Sequence, residues 1–424
     1  MIRSMFTAIS SLGLHQKYLD VVSNNLANAN TTGYKASRVL FQDQFAQTMS
    51  VGSAPSATLG GTNPTQIGLG VGLGYVAGNF TQGTLQNTGR NMDLAVQGDG
   101  FFVYGQDANR RYSREGSMSL DSDGYMVNMA TGLRTQGWMV DANGVIDTNL
   151  PVDDIQIDKE KTMAKATENV YLGGNLSANT ATDGTGSVSV SMAVYDSLGA
   201  LNTATLKLTR DAVNPLQWNW AIVDPTTGLP NVATGTGAGT ITFDVNGQVD
   251  TAIIPNPAVT TAVTIPGSTG SANAGQVAVT LDFSKLTMLT TPTSSTVTSQ
   301  DGLAAGSVSD VYIAPKDGTV SLIYANGLTE VVGQVALARF TNPTGLVHAE
   351  NTTFVPGLNS GTAQIGVAAG GGRGAIASGN LEASNVDMAQ EFTNMILAQR
   401  GFQASSRVIT TSDEILQELV NLKR

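Results

Sequence analysis

Two histidines, His15 and His348, are the only side chains of this 424-residue chain whose ordinary titration lies near neutral pH, and cysteine is absent. A thiolate nucleophile, a disulfide and a cysteine-ligated zinc are therefore excluded. His15 falls in a helix-patterned stretch and His348 in a polar turn region. Neither is joined by a Gly-x-Ser-x-Gly elbow. Gly72-x-Gly74-x-x-Ala77 has dinucleotide-fingerprint spacing but neither follows a strand nor opens a helix. Gly370-Gly371-Gly372-Arg373-Gly374 lacks the Lys-Ser/Thr of a phosphate loop. Asp121-Ser122-Asp123-Gly124 opens like a calcium loop without a Glu at the twelfth position, so a β-turn is expected. No catalytic, cofactor-binding or metal-ligating set emerges, and the chain is expected not to be an enzyme. Carboxylates paired by the fold keep one other reading open, a secreted β-rich carbohydrate-binding or hydrolytic protein.

The charge balance narrows the partners. Net charge is −11, with a pI near 4.6, which disfavours nucleic acid and anionic membrane. Charged residues make up 13%, about half the usual share, so much of the surface must be Thr, Ser, Asn and Gly. No run approaches the ~20 apolar residues of a membrane helix, and no membrane insertion is expected. Arg3, the apolar run Ser4–Leu14 and Ala27-Asn28-Ala29 imitate a signal peptide. Ser10, Ser11 and Gly13 break that run, and Lys17 and Asp20 follow it, so export without a cleaved signal peptide is expected.

The elements that would position these residues are unevenly distributed. Met5, Ala8, Leu12, His15, Leu19, Val22, Leu26 and Ala29 follow steps of three and four, predicting a helix over 4–29. Met388, Phe392, Met395, Gln399, Phe402, Ser406, Ile409, Asp413, Leu416 and Val420 repeat the pattern in a helix starting near Ser384-Asn385. Two readings compete: a two-helix coiled coil within one monomer, or a multi-helix assembly in which the polar members His15, Gln399, Ser406 and Asp413 set register. The second makes Met5, Leu12, Leu19, Val22, Leu26, Phe392, Met395, Phe402, Ile409, Leu416 and Val420 the assembly interface. Asn- and Gly-bearing helices of this length are marginal alone, so the termini are expected to order on assembly.

Between the helices the pattern is β. Asn-Gly or Asp-Gly pairs at 99–100, 123–124, 143–144, 183–184, 246–247, 301–302, 317–318 and 326–327 mark hairpin turns. Ser187–Val194 and Gln276–Phe283 alternate, and Trp218 and Trp220 share a strand face. The expected class is α + β, with terminal coiled-coil helices and mainly-β middle domains, the outer inserted into the inner. The expected division is a helical assembly domain at 1–32 and 382–424, and a connector at 33–74 and 373–381. An inner β domain would occupy 75–166 and 300–372, and an outer one 167–299.

Three motifs carry a resemblance. Asn24-Asn25-Leu26-Ala27-Asn28-Ala29-Asn30-Thr31-Thr32-Gly33-Tyr34-Lys35 resembles the N-terminal signature of the bacterial flagellar rod and hook axial protein family. Leu381-Glu382-Ala383-Ser384-Asn385-Val386-Asp387, through Ala398-Gln399-Arg400 to Leu422, resembles its C-terminal run. Thr88-Gly89-Arg90-Asn91-Met92-Asp93-Leu94-Ala95-Val96-Gln97-Gly98-Asp99-Gly100-Phe101-Phe102 is similar to its first β domain. The motif residues carried over are Asn24, Asn25, Asn28, Gly33, Tyr34, Gly89, Asp93, Gly98, Gly100 and Phe101.

The chain length and the large insertion fit a hook-type member best, while Met1-Ile2-Arg3-Ser4 keeps a distal-rod or rod-like subunit as the alternative. The resemblance implies a self-assembling extracellular tube, the curved, torque-transmitting joint between the basal-body rod and the filament in motility. It also implies flagellar type III export, and contacts with further copies of itself, the distal rod protein, the hook cap protein and the hook–filament junction protein. The Cys–Lys cross-link of some members is excluded by the lack of cysteine.

Overall fold

A computed structural model describes residues 2–56, 59–183, 185–223, 237–250, 260–265 and 277–421. Residues 184, 276 and 422–424, where one expected turn, the start of one expected strand and the end of the C-terminal run fall, lie outside the described residues. The chain is mainly β, with one long helix at each end. It divides into two compact units, one of 1–158, 311–321 and 331–424, the other of 159–310 and 322–330. No described helix is long and apolar enough to cross a membrane.

Helix α1 spans Ile2–Ala27 and helix α2 spans Met388–Asn421, 26 and 34 residues, or about 39 and 51 Å at ~1.5 Å per residue. Gly33 sits six residues beyond Ala27 with φ +69°, a left-handed conformation that glycine adopts without strain. Asp387 caps α2, its Oδ1 accepting the amides of Ala389 (2.9 Å) and Gln390 (3.2 Å). The start thus lies beyond the expected Ser384-Asn385, because Asn385 is engaged elsewhere, as described below.

The first unit holds a β core of Phe101, Val103, Tyr112, Ala338, Phe340 and Phe354. Its rings meet edge to face, Tyr112 and Phe340 at 4.9 Å between centroids. Phe101–Tyr104 pairs with Arg111–Ser113, which pairs in turn with Thr353–Val355. Both segments expected as connector carry paired strands. Residues 33–74 hold strands: Ser37–Asp43 pairs antiparallel with Val71–Gly78, and Ala46–Ser50 with Thr65–Gly68. Gly72 and Gly74 are strand glycines, and a Cβ at Gly74 would stand 3.1 Å from the Leu40 carbonyl oxygen. Residues 373–381 are likewise paired, Ala375–Ser378 with Leu94–Gln97 and Asn380–Glu382 with Leu85–Asn87.

The second unit packs two four-stranded sheets on one core. Val170, Leu172, Val279, Leu281 and Phe283 come from one sheet, and Val190, Leu206, Leu208, Trp218, Trp220 and Ile241 from the other. Trp218 and Trp220 are both buried, as their spacing of two requires.

Turn chemistry goes beyond the Gly pairs. Asp141, Asp244, Asp196 and Asp121 each stand three residues before a left-handed glycine: Gly144, Gly247, Gly199 and Gly124. Each Oδ1 accepts the amides two and four residues on, at 2.7–3.0 Å. Those hydrogen bonds hold the Asp141 and Asp244 carboxyls below their ordinary range. Asp121 is thus a turn former. Asp301-Gly302 is not such a turn; Asp301 instead accepts the amides of Glu168 and Asn169, each at 2.9 Å.

Candidate assembly interface

The two terminal helices pack against each other through small residues. The buried positions of α2 are Ala398, Ser405 and Ser412, one every seven residues. On α1 they are Ala8, Leu14, Val22 and Asn25. Ser11 Oγ lies 3.0 Å from Ser405 Oγ, and the His15 ring lies against the bare backbone of Gly401. Ser405 and Ser412 donate back to the carbonyls of Gly401 (2.9 Å) and Val408 (2.7 Å), so their hydroxyls are satisfied without solvent.

The expected seam is therefore rotated. Ala8, His15 and Val22 lie on the contact face, but the pairing runs through Ser11 and Asn25, while Leu12, Leu19 and Leu26 flank it half-buried, as does Met5. On α2, Met395, Phe402, Ile409 and Leu416 are half-buried, and Phe392 and Val420 are exposed. Small side chains let two backbones approach; larger ones at the same positions would hold them apart. The cost is that large apolar groups are left outside: Phe6 is 62% exposed, Ile396 57%, Leu397 61% and Val420 71%. The strand ribbon of residues 37–78 adds Phe45 at 87%.

At the base of the helices, polar side chains tie the two ends of the chain together. Asn25 Oδ1 accepts from the Ser37 amide (2.9 Å) and the Tyr34 hydroxyl (3.2 Å). Its Nδ2 donates to the Ser37 carbonyl (2.8 Å) and to Glu391 Oε1 (3.3 Å) on α2. Asn385 Oδ1 accepts the Ala36 amide (2.8 Å), and its Nδ2 donates to the Asn79 carbonyl (2.7 Å).

A buried charge cluster completes the joint. Lys35 Nζ donates to Glu382 Oε1 at 2.7 Å and to the Thr81 carbonyl at 2.8 Å. Arg114 Nη1 reaches Glu382 Oε2 at 3.3 Å, and its guanidinium lies over the Phe101 ring at 5.2 Å. The Gly83 amide also donates to Glu382 Oε1, at 2.8 Å. All three charged side chains are nearly inaccessible. Burial pushes the Lys35 ammonium and the Arg114 guanidinium down, and Glu382 opposes this for both.

The remaining motif residues are structural. Asn24 Nδ2 lies 3.4 Å from the Tyr34 hydroxyl, and Asn28 Nδ2 donates to Asn24 Oδ1 at 3.1 Å. Gly33 lies so close that a Cβ would stand 2.5 Å from the Glu115 amide nitrogen. Gly89, Gly98 and Gly100 have positive φ. Asp93 is buried and pairs with Arg90 at 3.6 Å, and Phe101 lies in the core. His348 is exposed, edge to face with Phe354. Among the described residues no group of three or more His, Cys, Asp or Glu could hold a metal. Lys35, Glu382 and Asn385 lay inside the motif strings without an assigned role. The seven-residue spacing of Ala398, Ser405 and Ser412 was the readable signal for the contact face.

Comparison with known proteins shows the family. Residues 5–35 match the flagella basal body rod protein family, and 95–188 the flagellar hook protein FlgE/F/G D1 domain. Residues 156–303 match the flagellar basal body protein FlaE D2 domain, and 377–422 the flagellar basal body rod FlgEFG protein C-terminal family. The flagellar hook protein FlgE of Borreliella burgdorferi is 37% identical, with 100% of both chains covered. That of Treponema pallidum is 34% identical over the same full coverage. The flagellar basal-body rod protein FlgG of Bacillus subtilis is 31% identical, also over 100% of both chains. Matched end to end by hook proteins, and joined at the residues of its terminal motifs, the chain belongs to the flagellar hook protein FlgE family.

Proposed function

We propose that the chain is a structural subunit that self-assembles into the flagellar hook, with α1 and α2 as its assembly elements. The observation that carries this is the burial pattern of the helix pair: the fully buried positions of α2 are the small Ala398, Ser405 and Ser412, while large apolar side chains of both helices stand in water. Exposed Phe6, Phe392, Ile396, Leu397 and Val420 represent apolar area that a second copy would remove from water, at roughly 25 cal/mol per Å². In the assembly the pair becomes part of a larger coiled coil, whose interface takes in Met5, Leu12, Leu19, Leu26, Met395, Phe402, Ile409 and Leu416 beside the exposed positions. Val22 is buried already and acts within the chain.

Residues 159–310 with 322–330 serve as the outer domain of the subunit, a reading supported by their separate core. The low charge of that domain suits contacts that slide rather than lock. Neighbours along the axis are the distal rod protein, the cap protein and the hook–filament junction protein. The chain reaches its place outside the cell through the flagellar type III apparatus, with no cleaved signal peptide.

Electron microscopy of the concentrated full chain tests the reading. Tubes that curve support a hook subunit, and straight tubes would favour the rod subunit instead. Removal of residues 1–30 and 388–424 should leave a soluble β core that does not polymerise. Long tubes from that core would overturn the role given to the helices.

A further inference from the structure

The loop between Gln364–Val367 and Ala375–Ser378 is built around two arginines that have no counter-ion among the described residues. The run Gly370-Gly371-Gly372-Arg373-Gly374 is glycine-rich, but hydrogen bonds hold the loop. The Ala369 amide donates to the Gly374 carbonyl (2.8 Å) and the Arg373 amide to the Gly370 carbonyl (3.0 Å). Ala369, Gly371 and Gly372 have φ of +55°, +58° and +75°. A left-handed alanine is costly, so the loop's shape is imposed by its surroundings.

That shape presents donors. The amides of Gly371 and Gly372 donate to no group among the described residues. Arg373 Nε donates to the Val367 carbonyl at 2.8 Å, which anchors the side chain and leaves both terminal nitrogens free. A Cβ at Gly371 would meet Arg373 Nη2 at 3.0 Å, and one at Gly372 would meet Arg339 Nη1 at 2.7 Å. The two guanidiniums therefore flank the two free amides, and only glycine leaves them room.

Arg339 ends the strand Thr329–Arg339, opposite Gln364, and makes no hydrogen bond or ion pair among the described residues. Both arginines are half-buried. The charged neighbour felt by Arg373 is Arg339, which adds to burial in pushing its guanidinium down. Two like charges held partly out of water without an anion are unfavourable. Forked guanidiniums and unpaired backbone amides are the groups that hold a bidentate oxyanion.

We propose that Arg339, Arg373 and the Gly371 and Gly372 amides form an oxyanion seat, filled in the polymer by a carboxylate side chain of a second copy of this chain. The supply is ample, since the chain carries 33 Asp and Glu against 22 Lys and Arg. The occupant rests on the polymer reading given above; the seat itself does not.

Two measurements on the full chain separate these parts. The Nε–H resonances of Arg339 and Arg373 are followed in dilute, monomeric protein during titration with acetate and with inorganic phosphate. The seat predicts saturable shifts from both, with dissociation constants of about 1–10 mM, and their loss at Arg373 in the Arg339→Gln variant. Shifts that fail to saturate with either anion, or that persist unchanged in the variant, would overturn the seat. Saturation by phosphate alone would overturn the carboxylate occupant. Polymerisation is then compared between wild type and the Arg339→Gln, Arg373→Gln double variant, with and without acetate. The proposal predicts a critical concentration raised about tenfold in the double variant and loss of the acetate inhibition seen in wild type. Equal critical concentrations and equal acetate sensitivity would overturn the docking. A wild type that forms no polymer under any condition counts against the hook reading, and the anion titration still decides the seat.

Discussion

The imidazole of His15 lies directly on Gly401, so that a Cβ added at 401 would overlap the ring. The same ring meets Phe41 of the strand ribbon edge to face at 5.8 Å. It is thus confined on two sides, and its Nδ1 is buried without a hydrogen-bond partner.

Gly401→Val should force the helices apart. The ring is confined by Gly401 and Phe41, so overpacking of about 1–3 kcal/mol is expected, larger than the gain from replacing a helical glycine with the β-branched valine. Circular dichroism melts should show earlier loss of helix, with the β signal unchanged. An unshifted helical melt would mean that His15 swings clear.

Glu382→Gln should unfold the first unit early. It leaves Lys35 and Arg114 buried without a carboxylate, at a cost of about 3–5 kcal/mol. Hydrogen exchange read by mass spectrometry should show faster opening at residues 33–36, 83–115 and 380–386. The core of the second unit, around Trp218 and Trp220, should be unaffected. Loss of protection in both units together would show that they unfold as one.

Phe392→Asp and Ile396→Asp should leave the monomer's stability within about 0.5 kcal/mol, because both side chains already face water. Polymerisation should be abolished. Leu19→Asp and Ile409→Asp should damage both, since those side chains are half-buried in the monomer. An Ile396→Asp chain that polymerises normally would place the assembly contact on another face.

Acid should destabilise the turns before it affects the core. Hydrogen bonds to the carboxylates hold the folded pKa values of Asp141, Asp183, Asp211 and Asp244 below 3.8. A depressed folded value means that the unfolded chain binds more protons, so these groups add stability above pH 3.8 that is lost as pH falls through the folded values. Urea midpoints should therefore be flat from pH 7 to about pH 5 and fall below about pH 4. Asp244→Asn should flatten part of that fall. A midpoint that already drops between pH 7 and 6 would show that these carboxylates do not set the acid limit.

The legible part of the fold was the part set by local chemistry. Asn143-Gly144 and Asn246-Gly247 announced their turns because only glycine reaches that φ cheaply. The alternation through Trp218 and Trp220 announced its buried face. The contact face between the two helices of one chain was not legible from apolar size: it runs through Ser11 and Asn25, beside the stripe of Leu12 and Leu26 expected for assembly. In this pair Ser405 and Ser412 are inside and Phe392 is outside, so hydrophobicity marks the unpartnered face. The ribbon at 37–78 was missed because its strands are largely exposed and the last, Val71–Gly78, is glycine-rich, which erases the alternation that identifies a strand. The charge cluster was unreadable for a different reason: nothing local to Lys35 or Glu382 specifies the other.

That separation has a kinetic consequence. Lys35 and Glu382 are 347 residues apart in the chain, and bringing such ends together costs roughly 5 kcal/mol in (3/2)RT ln n alone. The joint cannot close until nearly the whole chain is available, since Glu382, Asn385 and all of α2 belong to its last stretch. A polypeptide made or threaded from its N-terminus thus holds α1 without its mate for most of that time. Its adhesive ends acquire their paired geometry only at the finish, which delays premature association by the order in which residues arrive.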